Sequence, residues 1–110
     1  MTDLFTDRID VHFHYLSPEY REQMIYAVGS SPDGFAAPQW SAEAALAMMD
    51  RIGIATGMLS VSSPGVHFGN DASARSLARS VNEFAARTMG DHRGRFGGFV
   101  ASTRAGHFFT

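Results

Sequence analysis

The sequence predicts an α/β fold, in which parallel strands alternate with helices. Segments near 8–14 and 54–61 have the composition of strands, and so does a shorter segment near 96–101. Helical patterns with capping residues separate these segments, so the order is strand, helices, strand, helix, strand. Alternation of this kind builds a parallel sheet whose connections are right-handed crossovers.

The first strand, near 8–14, shows a strict alternation of apolar and polar residues. Its apolar positions are Ile9, Val11 and Phe13. Its polar positions are Asp10, His12 and His14. A period of two with β-branched and aromatic residues indicates a strand with two different faces. We therefore expect the apolar residues on one face and both imidazoles on the other.

Two helices are predicted between the first and second strands. Ser17 can cap the first of them, with Pro18 at the first helical position, and Gly29 ends it. Ser41 caps the second helix, and Gly53 ends it.

The second strand, near 54–61, is mostly apolar and lacks a clean alternation. This pattern is typical of a parallel strand that is buried on both faces. A third helix then begins at a cap, Asn70 or Asp71, runs to about Met89 and is closed by Gly90. Its apolar residues recur every three or four positions, which predicts one buried side.

The composition excludes several classes of function. The chain has 110 residues, a net charge of -2 and no cysteine. Without a basic block it lacks the electrostatic features that bind nucleic acid or an anionic membrane. Without cysteine it has no disulfide, no thiolate nucleophile and no sulfur-ligated metal site. Neither a signal peptide nor a transmembrane run is present, so we expect a cytoplasmic protein.

His12 and His14 are the pair of residues with a specific geometry. Residues two apart on a strand project to the same side, roughly 6.5 to 7 Å apart. Two imidazoles that lean together from there can share a metal ion at about 2.0 to 2.1 Å each. The pair also closes the first strand, at the end where parallel α/β folds place their sites. The alternative is two solvent-facing histidines on an edge strand.

Asp10 and His67 are further candidates for the site or the substrate pocket. Asp10 could orient a ligating histidine from outside the metal's own ligand set, or it could bond to neighbouring backbone at a strand end. His67 follows the second strand, again at the carboxyl end. Three roles are possible for His67: a third metal ligand, a residue that contacts the substrate, or an ordinary loop histidine.

Several segments together resemble one known family. The strand Ile9–His14 with its His-x-His ending, the stretch 40–68, Val81–Phe84 and Arg95–Phe99 are similar to the amidohydrolase-related family. The similar branch contains aminocarboxymuconate-semialdehyde decarboxylase and the 6-methylsalicylate or resorcylate decarboxylases. The resemblance covers about residues 8–101.

The resemblance implies a metal-dependent reaction. His12 and His14 would bind a divalent ion, usually zinc, with manganese as the other option, and His67 would lie in a loop over the pocket. The implied activity is non-oxidative decarboxylation of an aromatic or unsaturated carboxylic acid, a small-molecule substrate. Metal-dependent hydrolysis is the family's other chemistry. Within this chain the resemblance assigns no catalytic acid or base.

The resemblance also implies the N-terminal part, about three β/α units, of a (β/α)₈ TIM barrel of the metal-dependent hydrolase type. Such a barrel needs about 250 residues. We expect residues 1–101 to be this part, 102–110 to be an atypical tail left by truncation or a frameshift, and the chain to be inactive alone. The alternative class is an inactive or self-associating α/β module. Because charged residues make up only 18%, a homo-oligomer is a further expectation.

Overall fold

The computed structural model describes residues 8–31, 37–62 and 65–102 of the chain. The predicted atypical tail, 102–110, lies outside the described residues from 103 onward. None of the helices in the described ranges combines the length and the apolarity that crossing a bilayer requires.

Helices and strands alternate in the order that the sequence predicts. The strands are β1 (Ile9–His14), β2 (Thr56–Ser60) and β3 (Phe96–Gly98). The helices are α1 (Pro18–Val28), α2 (Ala42–Ile52) and α3 (Asp71–Asp91). The strands form one parallel sheet in the order β1-β2-β3, so the α/β prediction is confirmed. All three carboxyl ends therefore lie at the same edge of the sheet.

The helix caps follow the predicted residues. Ser17 Oγ accepts from the backbone N–H of Tyr20, and Ser41 Oγ accepts from that of Ala44. For α3 the cap is Asn70 rather than Asp71, because its side-chain oxygen accepts from the N–H of Ser73. Each bond satisfies one of the amide groups that a helix start leaves without an internal partner.

The predicted end of α3 at Gly90 is wrong. The helix continues to Asp91, and the N–H of His92 still donates to the carbonyl of Thr88 at 3.1 Å. The chain reverses only afterwards, where Gly94 has a φ of +80°. This left-handed conformation favours glycine, so Gly94 rather than Gly90 provides the turn before β3.

Two strands are shorter than the predicted ranges 54–61 and 96–101. At the start of β2, the N–H of Ile54 bonds to Met49 at the end of α2, so this residue is part of the helix ending. Beyond β3, the N–H of Phe99 still reaches the carbonyl of Leu59, but Val100 is 78% exposed. The chain therefore leaves the sheet just after Gly98.

The two-faced pattern predicted for β1 is observed for His12 and His14, whose rings lie together, but the strand also contains a bulge. Asp10 lies opposite Gly57 and Phe13 opposite Leu59, so β1 has one residue more than β2 between these pairs. A bulge twists the strand and interrupts the alternation of its faces. Phe13 is buried, whereas Ile9 and Val11 are 60% and 66% exposed.

The core lies where the helices cover the sheet, and an aromatic group joins β1 to α3. Tyr15, directly after β1, is buried and stacks on Phe84 with ring centroids 6.0 Å apart. Its hydroxyl donates to the carbonyl of Val81 at 2.9 Å, and burial raises the pKa of Tyr15 to about 12. Trp40 packs edge-on against both rings, which makes it a core residue.

Candidate metal centre

The structure brings the His12 and His14 side chains into contact at the carboxyl end of β1. Their Nε2 atoms are 2.9 Å apart, and the ring planes make an angle of 70° with centroids 4.5 Å apart. Both residues are exposed. The two rings therefore project to one side and present two nitrogen atoms toward the same point.

This spacing suits two ligands of one metal ion. Two nitrogens at about 2.1 Å from an ion lie about 3.4 Å apart at the tetrahedral angle that zinc prefers, and about 3 Å apart at a right angle. The observed 2.9 Å is close to the right-angle spacing and about half an ångström below the tetrahedral one, so the rings would move slightly apart to hold zinc. Without an ion the contact is a hydrogen bond, in which one Nε2–H donates to the other Nε2. A divalent ion held by the pair would displace this proton to Nδ1 or to solvent, so that both Nε2 lone pairs would be available as ligands.

Ser60 contacts the pair from the neighbouring strand. Its Oγ lies 3.2 Å from His14 Nδ1, the ring nitrogen that faces away from His12. Ser60 is also the register partner of His14 in the ladder between β1 and β2. The sequence pattern does not indicate Ser60, because the contact depends on the register between strands 46 positions apart.

Asp10 acts on the backbone rather than on a ring. Its Oδ1 accepts a hydrogen bond from the backbone N–H of His12 at 2.9 Å. Of the two alternatives open for Asp10, the structure shows the bond to neighbouring backbone. This hydrogen bond lies within the bulge. It therefore fixes the backbone at His12 and, with it, the direction in which the His12 side chain projects.

His67 is held within its own loop. Its Nδ1 accepts from the N–H of Gly69 at 3.2 Å, and its Nε2 lies 2.8 Å from Asp71 Oδ1. The first contact leaves the ring proton on Nε2, which therefore donates to Asp71. This hydrogen bond is the main cause that lowers the pKa of the Asp71 carboxyl, and the charge that His67 carries when its ring is protonated lowers it further.

The described residues contain no group of three His, Cys, Asp or Glu side chains that could hold a metal ion. His67 is thus not brought to the His12–His14 pair as a third ligand. It remains a residue of the loop that follows β2, at the same edge of the sheet as the pair.

Curated relatives of known activity match most of the chain. The chain is 36% identical over 97 residues to a decarboxylase of Aspergillus niger, and 36% identical over 96 residues to the 6-methylsalicylic acid decarboxylase of Penicillium expansum. Each match covers 86% of this chain but only 26% and 29% of those proteins. The chain therefore spans little more than a quarter of their length. No family model matches it.

Solved structures match the fold. A crystal structure of an amidohydrolase II superposes with a TM-score of 0.85 at 29% identity, over 91% of this chain and 33% of that one. A dihydroxybenzoic acid decarboxylase from Polaromonas sp. JS666, with bound manganese and the inhibitor 2-nitroresorcinol, gives a TM-score of 0.67 at 23% identity. That match covers 87% of this chain and 30% of the other.

The fold and the superpositions define the class first: the chain corresponds to part of an amidohydrolase-type TIM barrel. The sequence relatives then indicate which branch of this class the chain resembles. The chain is homologous to the decarboxylase branch of the amidohydrolase-related family, over the part of those proteins that it spans. The predicted fold class and family resemblance are both confirmed.

Proposed function

We propose that His12 and His14 are two ligands of a divalent metal ion in a decarboxylase of an aromatic carboxylic acid. The observation that carries the proposal is the 2.9 Å separation of their Nε2 atoms at the carboxyl end of β1. That end of a parallel sheet is where barrel enzymes build their sites. The named activities of the relatives support the reaction and a small aromatic acid as substrate.

The described residues have distinct roles in this proposal. His12 and His14 hold the ion, which supplies positive charge for substrate oxygens. Asp10 fixes the backbone at His12 through its 2.9 Å hydrogen bond. Decarboxylation breaks the bond to the carboxyl carbon, releases carbon dioxide and adds a proton to the ring carbon. We assign no described residue to that proton transfer.

Zinc is the proposed ion, because a pair of imidazole nitrogens suits it. The manganese in the Polaromonas structure belongs to that protein, and it is the reason to include Mn²⁺ beside Zn²⁺ in metal tests. Metal-dependent hydrolysis is the second candidate, supported by the superposition on the amidohydrolase II structure. A small polar substrate is compatible with the proposed cytoplasmic location.

A segment exchange tests the function. Residues 8–101 of this chain replace the matching segment of the Penicillium expansum decarboxylase, and both carbon dioxide release and bound metal are measured. We expect the chimera to decarboxylate 6-methylsalicylic acid. His12→Ala or His14→Ala should abolish turnover and lower the metal content, because either change removes one of two adjacent nitrogen ligands.

The matched control is His92→Ala, a histidine that precedes β3 and so lies at the opposite edge of the sheet. This variant should retain turnover and metal. Full activity and full metal content in the His12→Ala chimera would contradict the proposal.

A further inference from the structure

Ser60 is held opposite His14 by the main chain as well as by its side chain. The two residues are register partners in the parallel ladder, and the N–H of Tyr15 donates to the carbonyl of Ser60 at 3.2 Å. Since Tyr15 itself is buried and bonded to α3, this part of the ladder has little freedom. The hydroxyl of Ser60 therefore meets the His14 ring at a fixed place, 3.2 Å from Nδ1.

The contact has a chemical consequence for the ring. A neutral imidazole carries its proton on one nitrogen and a lone pair on the other, and the hydrogen bond of one nitrogen decides which. The Ser60 hydroxyl can either accept a proton from Nδ1 or donate its own to it, and Nε2 keeps its lone pair in the first of these arrangements. Nε2 is the atom that faces His12 at 2.9 Å.

We infer that Ser60 is a positioning residue for the metal site: it holds His14 in the tautomer and ring orientation that leave Nε2 available as a ligand. The inference rests on the proposed role of His14 in metal binding. Partners of this kind, which act through a ligand rather than on the ion, alter metal affinity by about 10- to 100-fold when they are removed.

The two proposed ligands are held by hydrogen bonds from two different strands. Asp10 fixes the backbone of His12 from within β1, and Ser60 fixes the ring of His14 from β2. The described hydrogen bonds give His14 Nδ1 no other partner. Removal of the Ser60 hydroxyl thus frees both the tautomer and the rotation of that ring, while the ladder stays in place.

The test compares four variants of the whole chain with the unchanged one: Ser60→Ala, Ser60→Thr, Ser76→Ala and His14→Ala. Zn²⁺ binding is measured by calorimetry, and nitrogen NMR of the metal-free protein reports which ring nitrogen of His14 carries the proton. Ser60→Ala should weaken Zn²⁺ binding by about 10- to 100-fold and lose the preference for the Nδ1–H tautomer. Ser60→Thr keeps the hydroxyl and should restore both. Ser76→Ala, an exposed serine on α3, should match the unchanged chain.

The possible outcomes distinguish a failure of the positioning role of Ser60 from a failure of the proposed metal centre. If Ser60→Ala binds Zn²⁺ as tightly as the unchanged chain and keeps the same tautomer, the positioning role is overturned while the metal centre stands. If the unchanged chain and His14→Ala bind Zn²⁺ equally weakly, the metal centre is overturned, and this inference with it.

Discussion

At the end of β1, exposed side chains that carry chemistry alternate with buried ones that hold the backbone. His12 and His14 are exposed, whereas Phe13 and Tyr15 are 7% and 2% exposed. The contacts that arrange the two imidazoles come from a carboxylate on the backbone and a hydroxyl on one ring. His67 is arranged differently, because both of its ring nitrogens are engaged within its own loop, by the N–H of Gly69 and by Asp71.

The His67 contact predicts a measurable change at Asp71. The hydrogen bond from His67 is the main cause that lowers the pKa of the Asp71 carboxyl, and the charge of Arg75 contributes least. In His67→Ala we expect this pKa to return to the ordinary range of an exposed aspartate, as followed by carbon NMR through a pH titration. Arg75→Ala is the control and should change the pKa much less.

The sign of the associated effect on stability follows from the same shift. A lowered pKa means that the folded chain binds this proton more weakly than the unfolded chain does. The contact therefore stabilises the fold above the ordinary pKa of aspartate, and this contribution is lost as the pH falls through the lowered value. An Asp71 pKa that is the same with and without His67 would refute the assignment.

Among the elements, the bulged β1 and its neighbour β2 depend on close packing at one glycine. A Cβ added at Gly57 would lie 3.0 Å from the ring of Phe13, which is buried at the same point of the sheet. Gly90 is the opposite case: it lies inside α3, and an added Cβ would meet nothing within 4 Å.

These two glycines make a matched pair of substitutions. Gly57→Ala should destabilise the chain by about 1–3 kcal/mol, because the added methyl group overpacks the Phe13 ring. Gly90→Ala should stabilise it by about 0.5–1 kcal/mol, since alanine loses less backbone entropy in a helix. Urea unfolding measures both. Equal effects of the two changes would show that the Phe13 contact does not limit this position.

Contacts between residues close in sequence can be predicted from the sequence, and contacts set by strand pairing cannot. The caps Ser17 and Ser41 are predictable because each acts on an amide three residues away. The bulge between Asp10 and Phe13 is not, since it is a property of the pairing with β2. The His12–His14 contact follows from local spacing, whereas the contact of Ser60 with His14 depends on strand register. Local spacing was sufficient to predict the contact between the two histidines and insufficient to predict the serine that contacts one of them.

For the whole molecule, the sheet leaves apolar surface open among the described residues. β1 and β3 each pair on one side only. On β1, Ile9 and Val11 are 60% and 66% exposed, and just after β3 Phe99 and Val100 are 50% and 78% exposed. An edge strand with exposed apolar residues readily pairs with another chain.

We therefore expect the isolated chain to self-associate in a concentration-dependent way, as measured by sedimentation velocity. Ile9→Lys should lower the association, because a charge on an edge strand opposes pairing with a second strand. Tyr26→Lys is the control: Tyr26 is 88% exposed but lies on α1, away from both strand edges. A monomer at all concentrations, or an equal response to both changes, would contradict the role of the β1 edge.

The burial of Tyr15 directly after His14, an exposed residue that we propose as a metal ligand, has a consequence for the thermodynamics of the site. The end of a strand at a sheet edge ordinarily frays, but here Tyr15 is bonded to Val81 and stacked on Phe84 of α3. The order of the segment that carries His14 is therefore established when the core folds, and little further conformational entropy would be lost in the proposed binding of an ion. If His14 is a ligand as proposed, ion affinity and fold stability are coupled through the buried phenol of Tyr15.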